Sequence, residues 1–188
     1  MYDSLNQVYN EAMGCTKCEL CRTRANVVFG EGSLNAKLML VGEGPGQKED
    51  ELGRPFVGPA GQLLDKMLAA IGLGRGDVYI ANIVKCRPPF NADPTIECAN
   101  ACIGYLREQV RFIHPRIIVC LGRIAAQHII KDTYGIGRIH GRIYERGSFY
   151  LIPTFHPAAL LRDESKKRLA WEDFKKIRSL LESINEDT

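Results

Sequence analysis

Leu38-Met39-Leu40-Val41 runs directly into Gly42-Glu43-Gly44-Pro45-Gly46. A short all-apolar run that stops in a glycine-rich turn reads as a buried parallel strand. Its end presents backbone N–H groups at the carboxyl edge of a sheet, where α/β proteins place ligands. The acidic pair Glu49-Asp50 and then Arg54-Pro55-Phe56 follow. The turn is no dinucleotide fingerprint, because Gly42-x-Gly44-x-Gly46 lacks the second two-residue gap and Pro45 removes an amide donor. No Gly-Lys-Ser/Thr follows, so it is not a Walker loop. A small nest of amides beside a carboxylate suits one developing negative charge and a positioned water better than a polyphosphate.

Outward from this turn the pattern predicts helices over residues 4–13, 61–71, 95–112, 123–130 and 165–184. Strands are predicted over 37–41, 78–84 and 116–121, with paired short strands at 142–144 and 149–153. In the last helix Leu169, Phe174, Ile177, Leu181 and Ile184 are expected to face the core. Strands alternating with helices imply a parallel sheet covered on both faces, an α/β fold. At 188 residues the chain is read as one domain, residues 1–188, with a sizeable core. A net charge of +3 requires any nucleic-acid surface to come from local clustering. No apolar run approaches the ~20 residues of a membrane span, and the N-terminus does not read as a signal peptide, so a cytoplasmic protein is expected.

Cysteines stand at 15, 18, 21, 86, 98, 102 and 120, an odd count that argues against a pure disulfide framework. Cys15-x2-Cys18 is a chelating pair, which Cys86 and Cys102 can complete to four thiolates pinning the N-terminal segment to the body. Such a set suits zinc or a [4Fe-4S] cluster, and softness does not decide between them. Scattered buried thiols are the plainer alternative. Cys120, inside Ile117–Leu121, reads as core. Cys21 and Cys98 compete for ligation by spacing and are read as structural.

Two further segments carry polar groups to the same sheet edge. Asn82 ends an apolar run that leads to Cys86 and to the stiff loop Arg87-Pro88-Pro89-Phe90-Asn91-Ala92-Asp93-Pro94. His156 follows another apolar strand, and Pro157 stops that strand. With the Gly42 turn, these groups converge as an α/β site requires. Residues 131–168 hold eight Lys/Arg against four Asp/Glu, with Leu160-Leu161 expected at the surface. A cationic flank with an apolar tip fits a loop that contacts phosphates and enters a base stack.

Together, Gly42-Glu43-Gly44-Pro45-Gly46-x-x-Glu49-Asp50 with Pro55-Phe56-Val57-Gly58, Asn82-Ile83-Val84-Lys85-Cys86-Arg87-Pro88-Pro89-x-Asn91, and His156-Pro157-Ala158-x-Leu160-Leu161-Arg162 resemble the family 4 uracil-DNA glycosylases, iron–sulfur enzymes of bacteria and archaea. The resemblance runs from Cys15 to about Trp171. It implies a three-layer α/β/α fold with a central four-stranded parallel sheet, and a [4Fe-4S] cluster on Cys15, Cys18, Cys86 and Cys102. It also implies excision of uracil from single- or double-stranded DNA by hydrolysis of the N-glycosidic bond, leaving an abasic site in base excision repair. Phe56 resembles the family's stacking aromatic.

With that substrate, Asn82 is expected to read the uracil edge, accepting from N3–H and donating to O4. His156, helped by the Gly42–Gly44 amides, is expected to stabilise charge on O2. Glu43 and Glu49 are the carboxylates available to position water, and Glu49 has the alternative task of excluding a C5 methyl. Leu160 or Leu161 is the candidate wedge, with Arg162, Lys85 and Arg87 on the DNA backbone. DNA is the implied partner, a sliding clamp a candidate second one, and a monomer is expected. Rival readings are a preference for another deaminated base such as hypoxanthine, a non-catalytic nucleic-acid-binding module, and a zinc-stabilised nucleotide-binding protein.

Overall fold

A computed structural model describes residues 2–132 and 134–186. Helix α1 (Leu5–Met13) and a 3-10 turn (Glu19–Arg22) lead to strands β1 (Glu31–Gly32) and β2 (Leu38–Gly42). Then come α2 (Gln47–Leu52), α3 (Pro59–Ala70), β3 (Val78–Asn82), a 3-10 turn (Pro89–Asn91) and α4 (Ile96–Ile113). β4 (Ile117–Leu121), α5 (Arg123–Ile129), α6 (Ile136–Ile139), β5 (Tyr144–Arg146), β6 (Phe149–Thr154), α7 (Pro157–Arg162) and α8 (Lys167–Glu186) complete the order.

The sheet runs β1-β3-β2-β4-β6-β5. Its centre is the expected four parallel strands, β3-β2-β4-β6. Among the described residues the sheet is nevertheless six-stranded, because β1 and β5 add antiparallel edges. Both edges are short and polar, as edges that resist further pairing commonly are. From β2 the chain steps first to β3 on one side and later to β4 on the other. The strand order therefore reverses between β2 and β4, the point where α/β sheets open a crevice.

Alternation along β2 explains the layers. Met39 and Val41 pack into one core with Val8, Ala12 and the inner faces of α4 and α5. Leu38 and Leu40 pack into a second core with Leu64 and Leu68 of α3 and Phe174, Ile177 and Leu181 of α8. A period of two thus sends neighbouring side chains into opposite layers, giving α/β/α. Helix starts follow local chemistry. Ser4 caps α1 by accepting from the Gln7 amide and Thr95 caps α4 by accepting from the Cys98 amide, while α4 ends at His114 in a left-handed conformation. Among the described residues no helix is long and apolar enough to cross a membrane.

The inward stripe of α8 differs by one member from the expected one. Leu169 is 43 % exposed, whereas Ala170 is buried with Phe174, Ile177, Leu181 and Ile184. Residue 170 lies one turn before Phe174, but residue 169 lies five positions away, about 140° round the helix. Phe174→Ala is therefore expected to cost about 3–5 kcal/mol, and Leu169→Ala no more than about 0.5 kcal/mol. Urea unfolding of the two variants measures both, and equal losses would contradict this orientation.

Candidate active site

The β2–β3 register sets Gly42 beside Asn82, and the β4–β6 register sets Leu121 beside Thr154, two residues before His156. Over this edge lies a cleft of about 450 Å³, within the range of small-ligand sites. Glu43, Glu49, Phe56, Asn82, His156 and Arg162 all line it. Gly42 packs directly against two of these, Asn82 and Phe56. A Cβ at that position would stand 2.5 Å from Asn82 Oδ1 and 2.6 Å from Phe56 Cζ, so only glycine lets both side chains close over the strand end.

Phe56 sits at φ 51°, a left-handed conformation that costs a non-glycine residue about 1–3 kcal/mol. Arg75 holds it there: Nη1 donates to the Phe56 carbonyl at 2.7 Å and Nη2 to that of Pro55. Glu31 and Asp65 pair with the same guanidinium, and Arg54 also pairs with Glu31. From below, the Phe56 carbonyl packs so closely on Gly61 that a Cβ there would lie 1.8 Å from its oxygen. Glu49 Oε1 accepts from the amides of Val57 (2.8 Å) and Gly58 (2.7 Å), the two residues ahead of α3, which opens on Pro59. The aromatic ring so fixed stacks on His156, with centroids 5.5 Å apart and planes at 29°.

His156 is the N-cap of α7, and its Nδ1 accepts from the Ala158 amide at 3.1 Å. A nitrogen that accepts cannot carry the proton, so the neutral ring is protonated at Nε2. Removal from water lowers its pKa to about 4, with Arg162 acting in the same direction and Glu49 against it. Asn82 is 1 % exposed, and its Oδ1 is a buried acceptor with no partner among the described residues. Glu43 is pushed up to about 7, chiefly by burial and then by neighbouring Asp93, against the pull of Arg123 and Arg162. Asp93 pairs in turn with Arg123 at the start of α5.

A second, much smaller cavity, of about 10 Å³, is lined by Cys15, Cys18, Cys21, Cys86 and Cys102. N–H groups already point at three of these sulfurs: Lys17 N at Cys15 (3.5 Å), Arg24 Nη1 at Cys86 (3.2 Å) and Lys85 N at Cys102 (3.2 Å). Arg24 also donates to the Cys15 carbonyl at 2.8 Å. Among the described residues no three His, Cys, Asp or Glu side chains close on a single metal ion. Five thiols around a small apolar cavity, with amide and guanidinium donors aimed at sulfur, form a donor set suited to a soft metal centre that spreads negative charge over its ligands. Cys98 lies outside this lining, its Sγ turned to Glu19 at 3.8 Å, and Cys120 is fully buried in β4.

A profile described as "Uracil DNA glycosylase superfamily" matches residues 29–175. A type-4 uracil-DNA glycosylase of Archaeoglobus fulgidus is 46 % identical over 95 % of this chain and 94 % of that protein. One from Thermotoga maritima is 45 % identical, covering 89 % of each. A type-5 uracil-DNA glycosylase of Pyrobaculum aerophilum is 34 % identical over 69 % of this chain and 64 % of that protein. This chain belongs to the type-4 uracil-DNA glycosylase family.

Two residues expected at a DNA surface lie inside the protein. Lys85 is 1 % exposed: its Nζ donates to the Asn82 carbonyl (3.0 Å) and to Gln109 Oε1 (2.7 Å), above the Phe29 ring. It braces the strand end that carries Asn82 and meets no external phosphate. Leu160 is 1 % exposed and packs with Phe155 and Ala170, whereas Leu161, 100° further round α7, is 45 % exposed. Arg162 is exposed, and half-buried Arg87 donates to Asn91 Oδ1 at 2.8 Å.

Arg75, Asp93 and Arg123 were not singled out from the sequence. Arg75 lies 19 residues from Phe56 and carried no local signal, whereas Asp93 stands in the stiff loop already noted. Arg75→Ala would strand two carbonyls and leave Glu31 with Arg54 alone. A loss of roughly 2–4 kcal/mol is expected in chemical denaturation, and Arg75→Lys, which cannot make the two-carbonyl fork, should recover less than half of it.

Proposed function

We propose that this protein extrudes uracil from single- or double-stranded DNA into the cleft at the ends of β2, β3 and β6 and hydrolyses its N-glycosidic bond, leaving an abasic site. The observation that carries this is Asn82 Oδ1, a buried acceptor without a partner among the described residues, in a cleft that also holds the Phe56 ring and an imidazole N–H. Uracil supplies the missing donor at N3–H and accepts at O2 and O4. Cytosine presents an unprotonated N3 to the same oxygen and leaves it unpaired, which is how a buried polar site rejects the wrong partner.

The steps follow from the groups in place. Extrusion costs a few kcal/mol of unstacking, least in single strands. Leu161, exposed on α7 next to the cleft-lining Arg162, is the wedge, with Arg162 and Arg87 on the backbone. Phe56 supports the base from one face. As the bond to the sugar breaks, negative charge grows on O2, and His156 donates Nε2–H to it as a neutral imidazole. A donor fixed before the charge develops needs no reorganisation and no imidazolium. Glu49 holds the Phe56 turn, its Oε1 accepting from the amides of both Val57 and Gly58. Positioning of the attacking water then falls to Glu43, the carboxylate shifted toward neutrality.

The thiol cavity is assigned to a [4Fe-4S] cluster on Cys15, Cys18, Cys86 and Cys102, with Cys21 as the spare thiol. When bound, the cluster supplies a cross-link that ties the N-terminal segment to the end of β3 and to α4. Base cleavage transfers no electrons, so the catalytic steps rest on the cleft residues. The proposed place of action is the cytoplasm, on DNA.

Oligonucleotides carrying one uracil, single-stranded and paired, test this directly. Alkali-labile abasic product is expected from both, beside equal iron and inorganic sulfide in the purified protein. No uracil release would overturn the enzymatic reading, and zinc in place of iron the cluster. Hypoxanthine in the same oligonucleotides separates the alternative base preference. pH adds a sharper expectation. A carboxyl raised to about 7 is protonated below that value, so single-turnover cleavage should fall as pH drops through 7. Glu43→Gln should be slow and lack this limb. His156, with its pKa near 4, should add no limb above pH ~5, and His156→Ala should lose about 10²–10³ in rate.

A further inference from the structure

The loop between β3 and α4 holds a side chain that the chemistry above leaves unused. Phe90 is 98 % exposed, although Pro88, Asn91, Ala92 and Asp93 on either side of it line the cleft. Its conformation is held rather than loose. Phe90 and Asn91 both have φ 56°, two successive non-glycine residues in the left-handed region. Amide-to-carbonyl bonds from Asn91 to Pro88 and from Ala92 to Pro89, each 3.1 Å, close the turn. Arg87 holds Asn91 and Arg123 holds Asp93, while Pro88, Pro89 and Pro94 fix three more backbone angles. The result is a rigid, strained turn that offers a bare aromatic ring to solvent at the lip of the cleft.

Its surroundings define the ligand. Arg87 and Arg123 flank the turn, and an exposed aromatic among fixed cations is the recurring platform for an unpaired nucleobase. β3 and β6 are separated by β2 and β4, so their ends lie about 14 Å apart. Phe90 follows β3 and Leu161 follows β6, so the two reach the cleft region from different strands of the sheet. We propose that Phe90 is a base-stacking residue whose ring packs on a nucleobase next to the extruded nucleotide in the uracil-bearing strand. This rests on the glycosylase function proposed above and adds a contact outside the uracil pocket.

Binding of single-stranded oligonucleotides carrying a cleavage-resistant 2′-fluoro-deoxyuridine tests it. Phe90→Ala is expected to weaken Kd roughly ten- to a hundredfold and to change single-turnover cleavage at saturation by less than about twofold. Phe90→Trp should bind as the parent does. Phe90→Leu, bulky but without a π face, should bind like Phe90→Ala. Replacing the bases beside the uracil one at a time with abasic spacers should reveal one position at which the parent falls to the level of Phe90→Ala and the variant falls no further. Kd within twofold of the parent for Phe90→Ala, full binding by Phe90→Leu, or spacer losses that add to the variant's at every position would each overturn the inference. If the parent protein releases uracil while any of these holds, only the stacking role fails. If the parent releases none, the glycosylase function itself fails.

Discussion

Gly42 leaves a void at the end of β2 that Asn82 and Phe56 fill together. The rest of the cleft depends on that packing. Asn82 arrives through the register of β3 against β2, and Phe56 arrives from the turn between α2 and α3. His156 then stacks on Phe56. Three chain segments far apart in sequence are thereby packed around one aromatic ring. A methyl group at residue 42 would push out the two that recognise the base, and the third would lose the surface it rests on.

Holding Phe56 there opposes its own backbone preference. The opposing forces are Arg75 on two carbonyls and Glu49 on the next two amides, one charged group on each side of the turn. Charge-assisted bonds of this kind are about twice as strong as neutral ones, and together they exceed the cost of one left-handed residue. Buried Lys85 does comparable work beneath Asn82 through its carbonyl. Charged groups around this cleft thus act largely on backbone, fixing apolar and amide side chains that meet the base. Such preorganisation is what a site needs when it must bind developing charge without rearranging.

Where the sequence was legible, a strong period was present. The four parallel strands read as apolar runs ending in polar residues, and the long helices read from their stripes. β1, with two residues, and α6, with four, are too short to show any period. Leu160 and Leu161 were indistinguishable because adjacent residues on a helix differ by 100°, and which faces inward depends on where the helix begins. Pro157 sets that start, but α7 is only six residues long. Lys85 misled for another reason. A lysine beside a candidate metal ligand suggests surface charge, and only the pairing of Gln109 with Tyr79 and Phe29 reveals the polar pocket that receives it. Such long-range partners carry no signature in a single sequence.

The two carboxylates near the Gly42 turn show how environment assigns roles that composition leaves open. Glu49 spends one oxygen on the amides of Val57 and Gly58 just ahead of α3, an arrangement that immobilises it. Glu43 has no such donors; it is half-buried, and Asp93 stands beside it. A carboxyl held by two amides suits architecture, whereas one balanced between two protonation states suits water chemistry. The same division applies to the imidazole. Because the Ala158 amide occupies Nδ1, His156 offers one proton in one direction, and its low pKa keeps a full positive charge out of the cleft until the leaving base supplies the negative one.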